Sequence, residues 1–242
     1  MKYREAIYKR YATLFQSRCY QRGGIVQKWT AAYSWFFRRW LPTDKGVRIL
    51  DVGCGGGQFL AVLRHLGYQS LAGVDISDQQ VGVAKQAGFD VETGNAITFL
   101  SEHRGVYDLI TGIDIMEHLT KEEVMDFLEK AHAALRPGGR IVLQMPNPNS
   151  PAGMTIRYGD FTHEVCLSPD CAERLLALTG FRACESRETG PVPSWTSISG
   201  LLRWSLWQAL RLGFIVYNVI ETGGRGTRIY TRVYLTTGRR TA

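Results

Sequence analysis

Residues 49–60 read ILDVGCGGGQFL: an apolar run, an acid, glycines at alternate positions, then the start of an apolar-periodic segment. No other stretch constrains the fold as much. Glycine, lacking a Cβ, permits a tight strand-to-helix turn and lets a ligand approach the backbone closely. The helix that follows presents unpaired N–H groups and the positive end of its dipole. That geometry suits a nucleotide or nucleoside cofactor. From 47 to 145 the chain reads strand then helix repeatedly: VRILDV and 58–66, SLAGVDI and 78–86, DVETG and 95–102, YDLITGI and 121–135 ending at RPGG, then RIVLQM. Such alternation predicts βαβ units and a parallel sheet.

Outside this unit the spacing predicts helices over 3–17 and 25–41, separated by RGG at 22–24 and closed by Pro42. After the Pro/Asn-rich PNPNSPAGM come a helix from Ser168 to about Thr179, capped by Gly180, and a strand FRACESRE. An apolar helix at 197–220, the breaker TGGRG and a last strand RIYTRVYLT complete the pattern. With 242 residues, one large domain with appendages is expected. Its parts are an N-terminal helical cap at 1–45, a cofactor-binding core at 46–190, and a helical insertion with the final strand at 191–242, within the same domain.

Charge is unevenly distributed. Residues 1–45 carry ten Lys/Arg against two Asp/Glu, residues 46–198 twelve against nineteen, and residues 199–242 seven against one. Basic ends around an acidic middle predict that the ends face something anionic. Cys19, Cys54, Cys166, Cys171 and Cys184 form no C-x-x-C pair, and their odd number argues against a secreted disulfide framework. The opening MKYREAIYKRYATLF lacks the apolar core of a signal peptide. A cytoplasmic location is expected.

Asp51, Gly53, Gly55 and Gly57 form D-x-G-x-G-x-G, a spacing different from the dinucleotide G-x-G-x-x-G. Asp75 closes the second strand, where a carboxylate accepts hydrogen bonds from ribose hydroxyls, and Asn95 follows the third strand, beside an adenine edge. LDVGCGGG, GVDIS, GNA, YDLITGIDIMEHL and LRPGGRIVLQMPN occur in an order and spacing that resembles the class I S-adenosylmethionine-dependent methyltransferases, over roughly 46–190. The resemblance implies an α/β fold with a Rossmann-like seven-stranded sheet whose last strand is antiparallel. It also implies S-adenosyl-L-methionine at the carboxyl ends of the first strands. Carried over by position, Asp51 ends the first strand and Gly53, Gly55 and Gly57 line the methionine part. Asp75, with Ile76 beside it, holds the ribose; Asn95 and Ala96 meet the adenine; Ile113 gives a backbone contact. Asn95 stands where the family usually has Asp. Its amide oxygen is expected to accept from the adenine amino group, with weaker binding.

Methyl transfer from a sulfonium is an in-line displacement, and a hydroxyl acceptor also needs a base to take its proton. His118, in DIMEHL, and His163, in RYGDFTHEVCLSP, are the candidate bases, with Asp160 and Glu164 near enough in sequence to orient His163. His65, His103 and His132 read as structural. Asp114, Glu117 and His118 make D-x-x-E-H, which resembles the divalent-metal set of some quinone O-methyltransferases, but the reading without a metal is preferred. The Asn/Asp-Pro-Pro-aromatic run of base-amino methylation is missing after the fourth strand, so nucleic acid is not the expected partner.

SISGLLRWSLWQALRLGFIVYNVI is apolar over most of its circumference, with Ser199, Arg203, Arg211 and Asn218 on one stripe. Two Arg and a Gln near its middle argue against a membrane span. A lid, a homodimer face, or an interfacial helix at the inner face of the membrane with Trp204 and Trp207 as anchors remain. This insertion resembles those of methyltransferases in polysaccharide and sugar biosynthesis. The first expectation is therefore an O-methyltransferase acting on a sugar hydroxyl of a glycan or lipid-linked precursor. The alternatives are a quinone, phenol or other small-molecule O-methyltransferase and, from another class, a non-catalytic cofactor-binding partner subunit.

Overall fold

The computed structural model describes residues 3–8, 25–193 and 197–241. Of the helix expected over 3–17, the described part is α1 (Tyr3–Tyr8); the remainder, Cys19 and the RGG breaker lie outside the described residues. Seven strands follow: β1 (Arg48–Val52), β2 (Ser70–Asp75), β3 (Asp90–Thr93), β4 (Tyr107–Ile113), β5 (Leu135–Pro146), β6 (Arg182–Glu188) and β7 (Val233–Arg239). They form one sheet in the order β3-β2-β1-β4-β5-β7-β6, with β7 antiparallel to both its neighbours and the first five parallel. This is the α/β architecture expected from the sequence, the antiparallel last strand included.

The helices are α2 (Ile25–Phe36), α3 (Gln58–His65), α4 (Asp78–Gln86), α5 (Ala96–Glu102), α6 (Lys121–Ala134), α7 (Gly153–Arg157), α8 (Pro169–Leu178) and α9 (Ile198–Thr222). Successive strand residues point to opposite faces, and both faces here are covered. Leu50, Ile110, Ile141 and Tyr234 pack with Phe127, Leu128 and Leu176 of α6 and α8. Their chain neighbours Ile49, Leu109, Val142 and Leu235 pack on the other face with Phe36, Phe59 and Leu63 of α2 and α3, and with Phe37 and Trp40 beyond α2. The unbroken apolar runs of the sequence are thus strands buried on both sides. Thr120 caps α6 in a capping box with Glu123, and Ser168 caps α8 through Cys171 N.

Several elements differ from the sequence reading; the helix read over 25–41 ends at Phe36, for example. β5 begins at Leu135, directly after α6, because Leu135 pairs with Tyr107 and the ladder absorbs RPGG as an irregularity before it resumes at Leu109↔Arg140. β7 begins only at Val233; the preceding residues are held off the ladder, with Asn147 Nδ2 donating to Ile229 O (3.0 Å) and Thr231 O (2.9 Å). The short α7, inside the segment read as loop, was hidden by its Pro, Asn and Gly content.

α9 departs most from expectation. None of its residues is buried, and its polar stripe is split. Arg211 faces the body, with Nε 3.4 Å from a Glu188 carboxylate oxygen and donating to Arg228 O (3.3 Å), and Asn218 donates to Tyr230 Oη (3.1 Å). Trp207 is turned the same way, its indole N–H donating to Glu188 (3.5 Å), and Phe214 lies against Tyr230. The expected tryptophan anchoring therefore does not hold for Trp207. Among the described residues no helix is long and apolar enough to cross a membrane.

Candidate functional site

At the carboxyl end of β1 the chain turns through Gly53 (φ 69°) and Gly55 (φ 52°) into Gly57 (φ 81°), the N-cap of α3. This left-handed run is costly for any residue with a Cβ. The turn opens on a cleft of about 1440 Å³ along the carboxyl ends of the parallel strands. Asp51, Gly53, Gly55, Asp75, Ile76, Asn95, Ala96, Ile113, Asp114, Glu117, His118 and His163 all line it. Gly57 does not. A Cβ there would stand 2.8 Å from Phe89 Cδ2, just before β3, so this glycine lets the start of α3 pack against that ring and does not reach the cleft, where a methionine-lining place was expected for it.

Asp75 accepts from Gly55 N (2.9 Å, Oδ2) and Ser77 N (2.8 Å, Oδ1). It therefore ties β2 to the glycine turn, with a lone pair left on each oxygen for a ribose hydroxyl. Burial raises its pKa, opposed by those two N–H bonds. Asn95 departs from expectation. Its Oδ1 caps α5 by accepting from Ile97 N (2.9 Å) and Thr98 N (3.2 Å). Both lone pairs are thereby engaged, which leaves the amide N–H₂, a donor, for an adenine nitrogen.

Asp51, beneath the turn, is 1 % exposed and accepts from Thr111 Oγ1 at 2.7 Å. Burial pushes its pKa up to about 7; the Thr111 bond opposes this and the Asp75 charge adds to it. A carboxyl with a folded-state value raised in this way binds its proton more tightly folded than unfolded. The associated stability is present below about pH 4 and lost progressively as pH rises to about 7, on the order of 4 kcal/mol in all. Asp51→Asn, which stays neutral, is expected to gain stability relative to the wild type between acid and mildly alkaline pH. Urea unfolding at both pH values checks this; a pH-independent difference would overturn it.

After β4, which pairs directly with β1, a 3₁₀ turn (Met116–His118) carries Glu117 and His118. His118 Nδ1 lies 2.8 Å from Thr162 Oγ1, and Thr162 donates to Asp160 Oδ1 at 2.6 Å. With the hydroxyl proton so directed, Nδ1–H is assigned as donor and Nε2 as acceptor. Burial, then the neighbouring His163, lowers the His118 pKa to about 4. His163 Nδ1 lies 3.1 Å from Ile156 O, which assigns its Nε2 as acceptor too; its pKa is also lowered, chiefly by burial. The two rings meet edge to face, 4.8 Å between centroids. Glu117 is buried with Oε2 unpartnered, and burial with the Asp114 charge pushes its carboxyl well above the usual range.

Glu117, His118 and His163 have ligand atoms within 4.8 Å of one another and could hold a cation. Asp114 is outside that group, its carboxylate receiving Gln144 Nε2 at 3.1 and 3.2 Å. A metal there would act as a Lewis acid on an acceptor oxygen.

Sequence reasoning missed the aromatic wall of Trp29, Tyr33, Phe36 and Phe59, in which α2 and α3 meet. Tyr33 Oη donates to Gln144 Oε1 (3.0 Å). It also missed Arg4 of α1, which donates to His118 O (2.6 Å) and to both oxygens of Glu123. Only the aromatic density of the N-terminal segment signalled either. His65, His103 and His132 lie outside the cleft lining, and so does every described residue of α9, which argues against the lid reading.

Residues 26–186 match a family model described as a methyltransferase domain. A ubiquinone biosynthesis O-methyltransferase of Shewanella halifaxensis is 30 % identical over 112 residues, 43 % of this chain and 45 % of the relative. One from Chelativorans sp. is 30 % identical over 154 residues, 56 % and 59 % of the two chains. The chain spans about half the length of the curated relatives it matches. A crystal structure of a SAM-dependent methyltransferase from Archaeoglobus fulgidus superposes with TM-score 0.64 at 23 % identity, covering 88 % of this chain and 94 % of that one, which shows the shared fold.

Proposed function

The chain belongs to the class I S-adenosylmethionine-dependent methyltransferase family, and on that premise we propose that it transfers a methyl group to a hydroxyl of an aromatic small molecule, a phenol or quinone precursor. The observation that carries this reading is the composition of one cleft. It is lined by the side-chain-free glycine turn with Asp75, by an aromatic wall that Tyr33 ties to Gln144, and by two imidazoles whose burial favours the neutral form. The left-handed glycines leave room for the methionine part, and Asp75 has accepting capacity left for the ribose diol, so these residues fit S-adenosylmethionine. Bound there, the cofactor supplies the sulfonium methyl group.

Trp29, Tyr33, Phe36 and Phe59 stack or edge-pack a flat acceptor ring and exclude water from it. His163 Nε2 takes the acceptor hydroxyl proton. His118, held by Thr162 and Asp160, keeps the second imidazole in place beside it. His163 is preferred as base because it is the less deeply buried of the two. The His118 value of about 4 makes that ring a weak proton acceptor. Glu117, whose carboxyl is pushed above its usual range by burial, lines the cleft beside the two histidines and offers a hydrogen bond to the acceptor oxygen or to a neighbouring substituent.

The sugar hydroxyl placed first by the sequence has no counterpart among these relatives, which are ubiquinone biosynthesis O-methyltransferases. The quinone or phenol alternative therefore takes its place. The test is incubation with methyl-labelled S-adenosylmethionine and a panel of ortho-dihydroxyphenols and free sugars, read by mass spectrometry. A methyl ether of a phenol, with stoichiometric S-adenosylhomocysteine, is expected. Transfer to sugars alone would overturn the acceptor class; tight cofactor binding without any transfer would point to a non-catalytic subunit.

A further inference from the structure

α9 spans about 37 Å at the usual helical rise and is apolar on both sides, Trp207 and Phe214 being turned toward the body. The polar groups Gln208, Arg211 and Asn218 lie on the side toward the body. The outward side carries Leu202, Leu206, Leu210, Val216, Tyr217 and Ile220, all exposed, Ile220 to 80 %. On the helical projection these lie within one arc, and the exposed charges of the helix, Arg203 and Glu221, fall at its margin. A contiguous apolar face of this kind is uncommon on a monomer in open water and marks a place of contact.

Two further observations say what covers it. The first is charge. Residues 198–232 hold five Arg against one Glu. Arg211 is already satisfied by Glu188, while Arg203 at the margin of the arc and Arg225, Arg228 and Arg232 in the segment that joins α9 to β7 are exposed. A second copy of the chain meeting this face would bring like charge to like, whereas an anionic lipid surface complements it. The second is position. β7 runs antiparallel to β5 and starts where β5 ends, with Val233 opposite Pro146. The insertion therefore leaves and re-enters the sheet at the edge where the cleft opens. Thr189, just before it, and Val233, just after it, both line that cleft. Exposed Met154, Tyr158 and Phe161 follow β5 beyond the same edge, and Asn149 Nδ2 reaches Thr227 Oγ1 (3.5 Å) across the gap.

We propose that α9 is an interfacial helix that lies in the surface of an anionic phospholipid bilayer, its leucine face in the acyl boundary and its flanking arginines at the headgroups. The cleft mouth then faces the bilayer, and an acceptor carried in lipid reaches the two histidines without crossing water. Apolar burial supplies most of the attraction and the arginines make it selective for anionic lipid. This surface does not depend on which hydroxyl is methylated.

The test is sedimentation of the full chain with vesicles of phosphatidylcholine and phosphatidylglycerol, and with phosphatidylcholine alone, at low and high sodium chloride. Binding to the anionic vesicles, weakened by salt, is expected. Leu206→Glu with Leu210→Glu is expected to lower vesicle affinity about a hundredfold or more, and Arg225→Ala with Arg228→Ala roughly tenfold or more. These side chains are exposed, so the thermal unfolding midpoint of each variant should stay at the wild-type value, which separates lost docking from lost folding. Failure to bind anionic vesicles at low salt would overturn the proposal. So would binding indifferent to the leucine changes, or a wild-type dimer that the same changes split into monomers, which would assign the face to a second copy.

Discussion

His163→Ala is expected to lower kcat about a hundredfold or more while leaving the affinity for S-adenosylhomocysteine unchanged. A positioned general base contributes roughly 10²–10⁴ in rate, and the ring packs against His118 and hydrogen-bonds Ile156 O, partners apart from the glycine turn and Asp75. The wild-type pH profile gives a second readout. Because burial lowers the His163 pKa below its ordinary 6.5, the ring is neutral and competent through neutral and alkaline pH. kcat should therefore be level there and fall only as pH drops through the lowered value. In the variant that acid limb should vanish. Calorimetry and steady-state kinetics on the same preparation decide the matter: cofactor affinity falling in parallel with kcat would move His163 from the base to the framework of the cleft.

Asp75→Ala is expected to weaken S-adenosylmethionine and S-adenosylhomocysteine binding by about a hundredfold or more. Two effects act together. The carboxylate now accepts from Gly55 N and Ser77 N, and hydrogen bonds to a charged group are worth about 1.5–3 kcal/mol each. Its loss therefore frees the turn as well as removing the acceptor for the ribose diol. Asp75→Asn, which keeps one acceptor oxygen, should fall between the two. Titration calorimetry measures all three, and undiminished binding by the alanine variant would sink the assignment of this cleft to the cofactor.

How much of this was legible beforehand depends on the range of the interaction. The strand–helix alternation and D-x-G-x-G-x-G rest on contacts between near neighbours in the chain, and they announced the parallel sheet and the turn. Asn95 shows the limit of that reading. Its position after β3 was clear, but a side chain at a helix start has a local competitor for its oxygen, and capping α5 takes it. Gly57 is similar: the spacing marked a glycine, while its reason, the Phe89 ring at a distance of 2.8 Å from a would-be Cβ, comes from the residue just before β3. The aromatic wall was less legible still. Trp29, Tyr33 and Phe36 reach the cleft only because α2 packs across the sheet, a contact between residues far apart in sequence.

The sequence by itself determined the order of elements, the glycine turn with its acids, and the presence of an apolar, arginine-bearing insertion before the last strand. Periodicity and local backbone chemistry are written in consecutive residues. Only the tertiary structure decided that Asp114 pairs with Gln144 while His163 joins Glu117 and His118, and that α9 turns Arg211 and Asn218 inward and Leu202, Leu206 and Leu210 out. The partners in these pairs, Gln144 for Asp114, Glu188 for Arg211 and Tyr230 for Asn218, stand on other elements and are brought near only by the packing of the sheet.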